Sequence, residues 1–311
     1  MLRLFWDYKK LIMNKNKGLW SLLLAGFIFG TFMIWIRLLN KQINVFEQIV
    51  LRNSFTLIFS IVAILLVKST RQDGKVSKFS LFGFGLAVPL SVIFYNLSAL
   101  STTVVIAIFS FYAGTIVTGG LIGIFVHKET LTKKAMWSYV LAFVGIAVMA
   151  FPFSEIGMGL IFGLCAGVFD GISNGLRKSL SGKIPKFQLV LITGIAGVLI
   201  SGLVLLLNKQ DPLNLLNQPS WVYLVGALFG LLLVIVNYLT LVGFQNYDVG
   251  LGTIIISVEL IFATLFGLLI FKEIPTIKDV ISGLFIIAAI LIQNLDLKKL
   301  KKPNHLVPSG G

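Results

Sequence analysis

A chain of 311 residues with 57% hydrophobic and only 12% charged residues cannot cover a water-exposed surface with polar groups, which excludes an ordinary soluble protein. The mean hydropathy of +0.96 predicts an integral membrane protein with several spans. A net charge of +14 would favour a nucleic-acid partner in a soluble protein, but here the basic residues cluster between apolar runs, where they orient membrane helices. We therefore expect no nucleic-acid partner.

Ten apolar runs of bilayer-spanning length follow one another along the chain. Residues 1–17 form a basic tail before the first run, an order also found in signal peptides, but the run lacks a convincing cleavage site and we expect a retained helix. Windows of about 20 residues predict ten transmembrane helices. Their expected bounds are 18–38, 46–67, 79–98, 103–126, 135–151, 157–177, 187–207, 221–243, 250–271 and 278–294.

Most basic residues lie before the first predicted helix or after the even-numbered ones. Of the 26 lysines and arginines, twenty fall in these segments and five on the other side, so the positive-inside rule places both termini in the cytoplasm. The twenty are Arg3, Lys9, Lys10, Lys15, Lys17, Lys68, Arg71, Lys75, Lys78, Lys128, Lys133, Lys134, Arg177, Lys178, Lys183, Lys186, Lys298, Lys299, Lys301 and Lys302. The five are Arg37, Lys41, Lys209, Lys272 and Lys278.

A short stretch occurs twice, as GIFVHKETLTKKAMWS at 123–138 and as GLLIFKEIPTIKDVIS at 267–282. Six positions are identical, where composition alone would give roughly one or two matches, so we interpret the stretch as an internal duplication. In each copy an apolar run ends in a Lys-Glu-x-x-Thr turn. The identical pairs are Gly123/Gly267, Lys128/Lys272, Glu129/Glu273, Thr132/Thr276, Lys134/Lys278 and Ser138/Ser282.

The duplication divides the chain into two halves of five helices. Because five is odd, the second half should enter the membrane inverted, an arrangement typical of secondary transporters that work by alternating access. We predict an all-α polytopic membrane protein with ten transmembrane helices in two inverted five-helix repeats. The expected segments are a basic cytoplasmic tail (1–17), repeat one (18–151), an external linker (152–156), repeat two (157–295) and a basic cytoplasmic tail (296–311), whose end, Leu306–Gly311, is similar to a tag remnant.

These turns resemble those of the drug/metabolite transporter superfamily, specifically its ten-helix EamA-like branch. The matching residues are Glu129 and Glu273 in Glu-x-x-Thr turns, Leu51-Arg52 early in the second helix, and Tyr95, Ala99 and Leu100 at the end of the third. The chain departs from the family pattern where Glu259 precedes Leu260 instead of proline and where Phe29-Gly30 replaces Trp-Gly. The resemblance implies gradient-driven export or exchange of amino acids or related amphipathic metabolites, without ATP, in a bacterial inner membrane.

Three charged residues lie deep within predicted spans, away from their ends. A charge at the bilayer centre costs about 2.5–3.5 kcal/mol, so each should face a cavity or a partner. Glu259, near the middle of the ninth helix, is a candidate for proton coupling or for binding a substrate ammonium group; the alternative is a hydrogen bond that fixes helix packing. Asp170 is a second candidate, or a structural partner of Asn174 or Arg177. Arg52 is a candidate for binding a substrate carboxylate, or it snorkels to the interface.

Polar and aromatic residues near the helix centres form a second group of candidates. Amide and phenol groups can orient an amino-acid-like solute while aromatic faces hold its apolar part. For each of them, ordinary interhelical hydrogen bonding or interfacial anchoring is the alternative. The candidates are Tyr95 and Asn96 in the third helix, Asn237 and Tyr238 in the eighth, Trp35 in the first and Tyr112 in the fourth.

Glycines recur at every fourth position along the predicted sixth helix. This spacing places them on one face, where we expect a neighbouring backbone to pack closely. They are Gly159, Gly163, Gly167, Gly171 and Gly175.

Other classes of protein fit the sequence less well. An intramembrane enzyme would need a His–acid pair or an Asp-rich metal box, whereas His127 lies in a loop, His305 in the tail, and Cys165 has no base nearby in the sequence. A channel or facilitator stays open as an alternative, although no segment resembles a selectivity filter. We expect no enzyme activity, metal or cofactor. The expected partners are a small-molecule substrate, protons as coupling ion, and lipid; substrate identity, transport direction and oligomeric state stay open.

Overall fold

The computed structural model describes residues 2–67, 76–150, 157–209 and 212–294. Regular structure in these ranges is helical, and they contain no strand. A 3-10 turn, Pro212–Asn217, precedes α9. The helices are α1 (Leu2–Gly30), α2 (Phe32–Leu39), α3 (Val45–Leu66), α4 (Lys78–Ser101), α5 (Val104–Phe125), α6 (Lys133–Ala150), α7 (Met158–Leu180), α8 (Lys186–Leu207), α9 (Ser220–Asn246), α10 (Val249–Ile256), α11 (Glu259–Phe271) and α12 (Ile277–Asn294).

Eight helical segments within the described ranges are long and apolar enough to cross a bilayer. Each agrees within a few residues with a predicted span, and two of them, α1–α2 and α10–α11, are interrupted. The two remaining helices, α6 and α12, lie where the fifth and tenth spans were expected. The all-α membrane fold is therefore confirmed, and the full count of ten spans stays a prediction.

Some predicted segments fall outside the described residues. These are the basic loop with Lys68, Arg71 and Lys75, the linker 152–156 and the tail 296–311. The side of the membrane on which they lie stays a prediction from the loop charges.

The two repeated turns lie at opposite ends of the helical bundle. At one end, Gly18 of α1 packs against Asn246 of α9, and Glu129 accepts a 2.7 Å hydrogen bond from the first N–H of α10. At the other end of the same first span, Arg37 forms a 2.5 Å ion pair with Glu273. Since the first span, made of α1 and α2, reaches from one end to the other, the second repeat is inverted relative to the first. We refer to these as the Glu129 end and the Glu273 end.

Both turns also have the same backbone conformation. Lys128 and Lys272 adopt the left-handed helical region, with φ of 53° and 56°. In both copies the N–H of the following glutamate donates to the carbonyl of the first glycine of the stretch, at 2.9 Å in the first copy and 3.1 Å in the second. This arrangement ends a helix and is usually made by glycine. The repeated sequence is thus a repeated structure.

The two repeats exchange their first helices. Helices α1 and α2, the first span of repeat one, pack on α9, α10 and α11 of repeat two, and α7, the first helix of repeat two, packs on α4 and α5 of repeat one. The second helices, α3 and α8, contact each other, as do the last helices, α6 and α12, where Ser138 Oγ donates a 2.7 Å hydrogen bond to the Ala289 carbonyl. Helices from both repeats therefore enclose the space between them.

The glycine face of α7 allows this helix to pack closely on α5. A β-carbon at Gly163 would lie 1.8 Å from Ser110 Oγ, and one at Gly167 would lie 2.0 Å from the carbonyl oxygen of Phe111. Both distances are far shorter than any van der Waals contact. The predicted close backbone approach is confirmed.

We expect Gly167→Ala to destabilise the protein, because the added methyl group meets backbone atoms of α5 and overpacking typically costs about 1–3 kcal/mol. Gly202→Ala is the matched control, because a β-carbon there has open space and alanine favours a helix by roughly 1 kcal/mol over glycine. Thermal unfolding in detergent should give a lower midpoint for Gly167→Ala and an equal or higher one for Gly202→Ala. Equal midpoints would contradict the close packing of α7 on α5.

Candidate functional site

A cavity lies between the two repeats. Its wall is largely aromatic and aliphatic, and charged or amide side chains from both repeats line it at several points. Seven of the nine candidate residues predicted from the sequence line this cavity: Arg52, Tyr95, Asn96, Tyr112, Asp170, Asn237 and Glu259.

Both membrane spans that meet beside Glu259 are interrupted. The first is interrupted at Thr31, whose hydroxyl donates a 2.7 Å hydrogen bond to the Ile28 carbonyl. The ninth is interrupted at Ser257 and Val258, so Glu259 begins α11 instead of lying within a continuous helix as expected. Gly30 directly precedes the break in the first span, whereas no proline or glycine lies at the break in the ninth. Interrupted helices are common at the binding sites of secondary transporters.

Glu259 is the centre of a hydrogen-bond network that joins the repeats. Its Oε2 accepts a 2.5 Å hydrogen bond from the Tyr112 hydroxyl, and its Oε1 accepts a 3.3 Å hydrogen bond from the Tyr95 hydroxyl. The Tyr112 hydroxyl is also 3.2 Å from the carbonyl of Ile256, at the end of α10. Glu259 is only 3% exposed, so phenol groups replace the water that would otherwise solvate its carboxyl group. This arrangement can hold a proton or bind a cationic group.

Arg52 is a second buried ionisable residue in the wall of the cavity. It is 2% exposed because α3 packs on α8 and α9, so the alternative in which it snorkels to the interface is wrong. The guanidinium lies over the ring of Phe229, 4.6 Å from its centroid. Among the described residues no carboxylate lies within ion-pair distance of Arg52, and its Nε has no hydrogen-bond partner. A buried guanidinium without a counter-ion favours binding of an anionic group.

Asp170, Asn174 and Arg177 form a polar cluster on one face of α7. Asn174 Nδ2 donates a 2.9 Å hydrogen bond to Asp170 Oδ2, and Arg177 Nη1 lies 3.4 Å from Asp170 Oδ1 and also donates to Asn174 Oδ1. The predicted partnership of Asp170 with these two residues is confirmed. The prediction that Arg177 is a loop charge is wrong, because α7 continues to Leu180 and Arg177 is buried.

Two amides line the cavity near these charges. Asn96 Nδ2 donates a 2.6 Å hydrogen bond to the carbonyl of Val92, and Asn96 Oδ1 has no partner among the described residues. Asn237 Oδ1 lies 3.4 Å from Arg177 Nη2. Asn96 therefore offers a free acceptor to a ligand, whereas Asn237 supports the α7 cluster.

Trp35 and Tyr238 do not line the cavity. Trp35 stacks on Phe229, with 6.3 Å between ring centroids, and its indole N–H donates to Thr31 at 3.2 Å. Tyr238 stacks on Phe187 and is 37% exposed. The structure gives both residues a packing environment.

Several other residues that line the cavity were not among the candidates predicted from the sequence. Asn174 and Arg177 had a readable signal, because their spacing from Asp170 places all three on one helical face. The aromatic residues had none, because an apolar residue in a membrane helix faces lipid, core or cavity with the same composition. The residues not selected include Phe29, Phe32, Ser91, Phe111, Asn174 and Arg177.

Comparison with known protein families shows which family has this sequence pattern. The family model described as the EamA-like transporter family matches the chain twice, at residues 16–151 and 157–295. The chain belongs to the EamA-like transporter family. The two matches coincide with the two predicted repeats, and the resemblance to the EamA-like branch that was inferred from the repeated turns is confirmed. Membership makes the protein an integral membrane transporter, and a small-molecule substrate follows from the family.

The EamA-like fold also occurs in a solved structure described only as the crystal structure of a protein. It is 15% identical in sequence, with a TM-score of 0.68, and the match covers 88% of this chain and 97% of that one. At this identity the likeness shows the fold alone. No curated protein matches the chain.

The cluster on α7 predicts strong coupling between Asp170 and Arg177. Asp170→Asn alone leaves a buried guanidinium without its counter-ion and should lower the free energy of unfolding by about 2 kcal/mol. Adding Arg177→Gln should recover a large part of this loss, because the unpaired charge is then absent. Unfolding of the two single variants and the double variant in detergent measures the coupling. If the losses of unfolding free energy in the two single variants simply add up in the double variant, Asp170 and Arg177 do not interact as described by their ion pair.

Proposed function

We propose that this EamA-like protein is a secondary transporter that exports or exchanges a small amphipathic metabolite, with amino acids as the first candidates, by alternating access. The observation that carries the proposal is the cavity between inverted repeats, which presents a guanidinium without a counter-ion and a carboxyl group held by two phenols. Inverted repeats supply two states of similar energy, open to opposite sides.

The cavity fits the two charges of an amino acid. Arg52 offers a bidentate donor for the α-carboxylate, and Glu259 offers an acceptor for the α-ammonium group. The unpaired Oδ1 of Asn96 is a further acceptor for an N–H group. Phe29 and Phe111 line the same cavity and suit an apolar side chain.

Glu259 also gives a physical route to proton coupling. A carboxyl group that holds a proton has no charge with which to bind an ammonium group, so the two occupants exclude each other. If a proton enters on Glu259 from one side and leaves when the substrate ammonium group binds from the other, the inward proton gradient drives export. Asp170 is not needed for this step, because Asn174 and Arg177 already bind its carboxylate.

The Glu129 end is proposed to face the cytoplasm of a bacterial inner membrane. Lys128, Lys133 and Lys183 are exposed at this end, as the positive-inside rule requires of a cytoplasmic face. Both termini would then be cytoplasmic. A channel or facilitator is the alternative, and saturable counterflow of a metabolite by the purified protein would exclude it.

The charge complementarity predicts how ligands should bind. Thermal shifts of the purified protein should be larger for an amino acid than for its decarboxylated amine or its deaminated acid, because each analogue loses one of the two ionic contacts. Arg52→Gln should abolish the preference over the amine and keep the preference over the acid. Glu259→Gln should do the reverse. Trp35→Phe, outside the cavity, is the control and should keep both preferences; a library in which no zwitterion shifts the midpoint would contradict the assignment.

The coupling role of Glu259 predicts a loss of pH-gradient dependence. In proteoliposomes with an imposed pH gradient, the wild-type protein should move an amino acid identified by thermal shift against its concentration gradient. Glu259→Gln cannot take up a proton and should retain at most substrate exchange that the gradient does not accelerate. Asp170→Asn, reconstituted at equal density, should remain responsive to the gradient. If Glu259→Gln responds to the pH gradient as the wild type does, the proton-coupling role is wrong.

A further inference from the structure

We infer that the two repeated turns are the gates of the transport cycle: Glu129 with Lys178 closes the cavity at one end, and Glu273 with Arg37 closes it at the other. The inference rests on the alternating-access function proposed above and assigns residues to its opening and closing steps. Loop charges and the sequence repeat alone place these glutamates only at the membrane boundary.

The two ion pairs are counterparts under the repeat symmetry. Glu129 Oε1 lies 2.7 Å from Lys178 Nζ, and Glu273 Oε1 lies 2.5 Å from Arg37 Nη1. In each pair the glutamate follows the fourth helix of one repeat, and the base stands in the last turn of the first helix of the other repeat. Each pair therefore links the two repeats, and the two links lie at opposite ends of the bundle.

Both pairs lie directly beyond the cavity. Ile36 lines the cavity and Arg37 is the next residue; Arg177 lines the cavity and Lys178 is the next residue. A path from the cavity to either side must separate the first span of one repeat from the fourth or ninth span of the other at that end. This separation breaks the local ion pair and leaves the pair at the other end in place.

The effect of each pair on the equilibrium follows from this geometry. An ion pair present in one state and absent in the other shifts the population toward the state in which it is formed. Removing Glu129 should favour the state open at the Glu129 end, and removing Glu273 should favour the state open at the Glu273 end. Two similar substitutions are thus expected to act in opposite directions.

The two gates are not equally strong. At the Glu129 end, Lys178 also lies 3.5 Å from Asp248, and Glu129 accepts hydrogen bonds from the N–H groups of Val249 and Gly250 at the start of α10. At the Glu273 end, the second carboxylate oxygen of Glu273 has no hydrogen-bond partner among the described residues. We therefore expect the protein without substrate to open more often at the Glu273 end.

Cysteine accessibility tests the gates without any substrate. In a Cys165→Ala background, Ser91→Cys places one thiol in the cavity wall. A membrane-impermeant thiol reagent is applied to right-side-out and to inside-out vesicles, and the ratio of the two labelling rates is measured. Glu129→Gln and Glu273→Gln should change this ratio in opposite directions, each by roughly fivefold or more, the lower end of the range for coupling between two states.

Matched controls separate gating from general loss of charge or folding. Lys183→Gln and Lys41→Gln remove an exposed charge near the Glu129 end and the Glu273 end, respectively, and should leave the ratio unchanged. Exchanging the charges in Arg37→Glu/Glu273→Arg should restore the wild-type ratio. If both glutamate variants change the ratio in the same direction or leave it unchanged, or if the charge exchange fails to restore it, the gate assignment is wrong. Wild-type transport would be unaffected by that failure, so the proposed function is tested separately.

Discussion

A charged side chain inside a bilayer loses its hydration and needs a partner within the protein. In this chain several such partners come from the other repeat: Glu259 of repeat two is held by Tyr95 and Tyr112 of repeat one. The ion pairs at the two ends cross the same boundary. The two ion pairs require the first helix of each repeat to pack against the other repeat, so helices from both repeats surround the central cavity.

The exchange of first helices also explains why similar turns act at both ends. Because the second repeat is inverted, its Lys-Glu-x-x-Thr turn lies at the opposite end of the bundle. Because the first helices are exchanged, each turn lies beside a basic residue of the other repeat. The two interrupted spans pack on each other: Gly26 of α1 lies against Ile256 and Val258 at the break of the ninth span, and Gly30, beside the break of the first, lies against Phe262 of α11. An ion pair at each end and the hydrogen bonds of Glu259 beside the cavity thus all connect the two repeats.

Much of the fold was readable from the sequence, because lipid imposes long apolar runs and leaves charges in the loops. The duplication, its inversion and the positions of Glu259, Asp170 and Arg52 inside the bundle all follow from that constraint. The hydrogen-bond and ion-pair partners of these residues were harder to predict from the sequence. Tyr112 contacts Glu259 and the Ile256 carbonyl on either side of the break at Ser257, and no glycine or proline signals that break.

The sequence was least informative where apolar residues line the cavity and where a charge close to a helix end is buried. Phe29 and Phe32 look like any lipid-facing phenylalanine. Arg177 looks like a loop charge until the length of α7 is known, since a few residues decide whether it lies in water or inside the bundle. Boundaries of this kind depend on tertiary contacts with α4 and α9.

Spin-label distances at both ends of the bundle show whether the two ends of the cavity open in alternation. In a Cys165→Ala background, one labelled pair at Thr130→Cys and Lys183→Cys reports on the Glu129 end, and a second at Lys41→Cys and Ile274→Cys reports on the Glu273 end; all four sites are exposed. In liposomes each pair should show a short and a long distance. Changing the pH, or adding an amino acid that shifts the unfolding midpoint, should lengthen one distance while it shortens the other. Distances that lengthen together, or that stay single under every condition, would contradict alternating access.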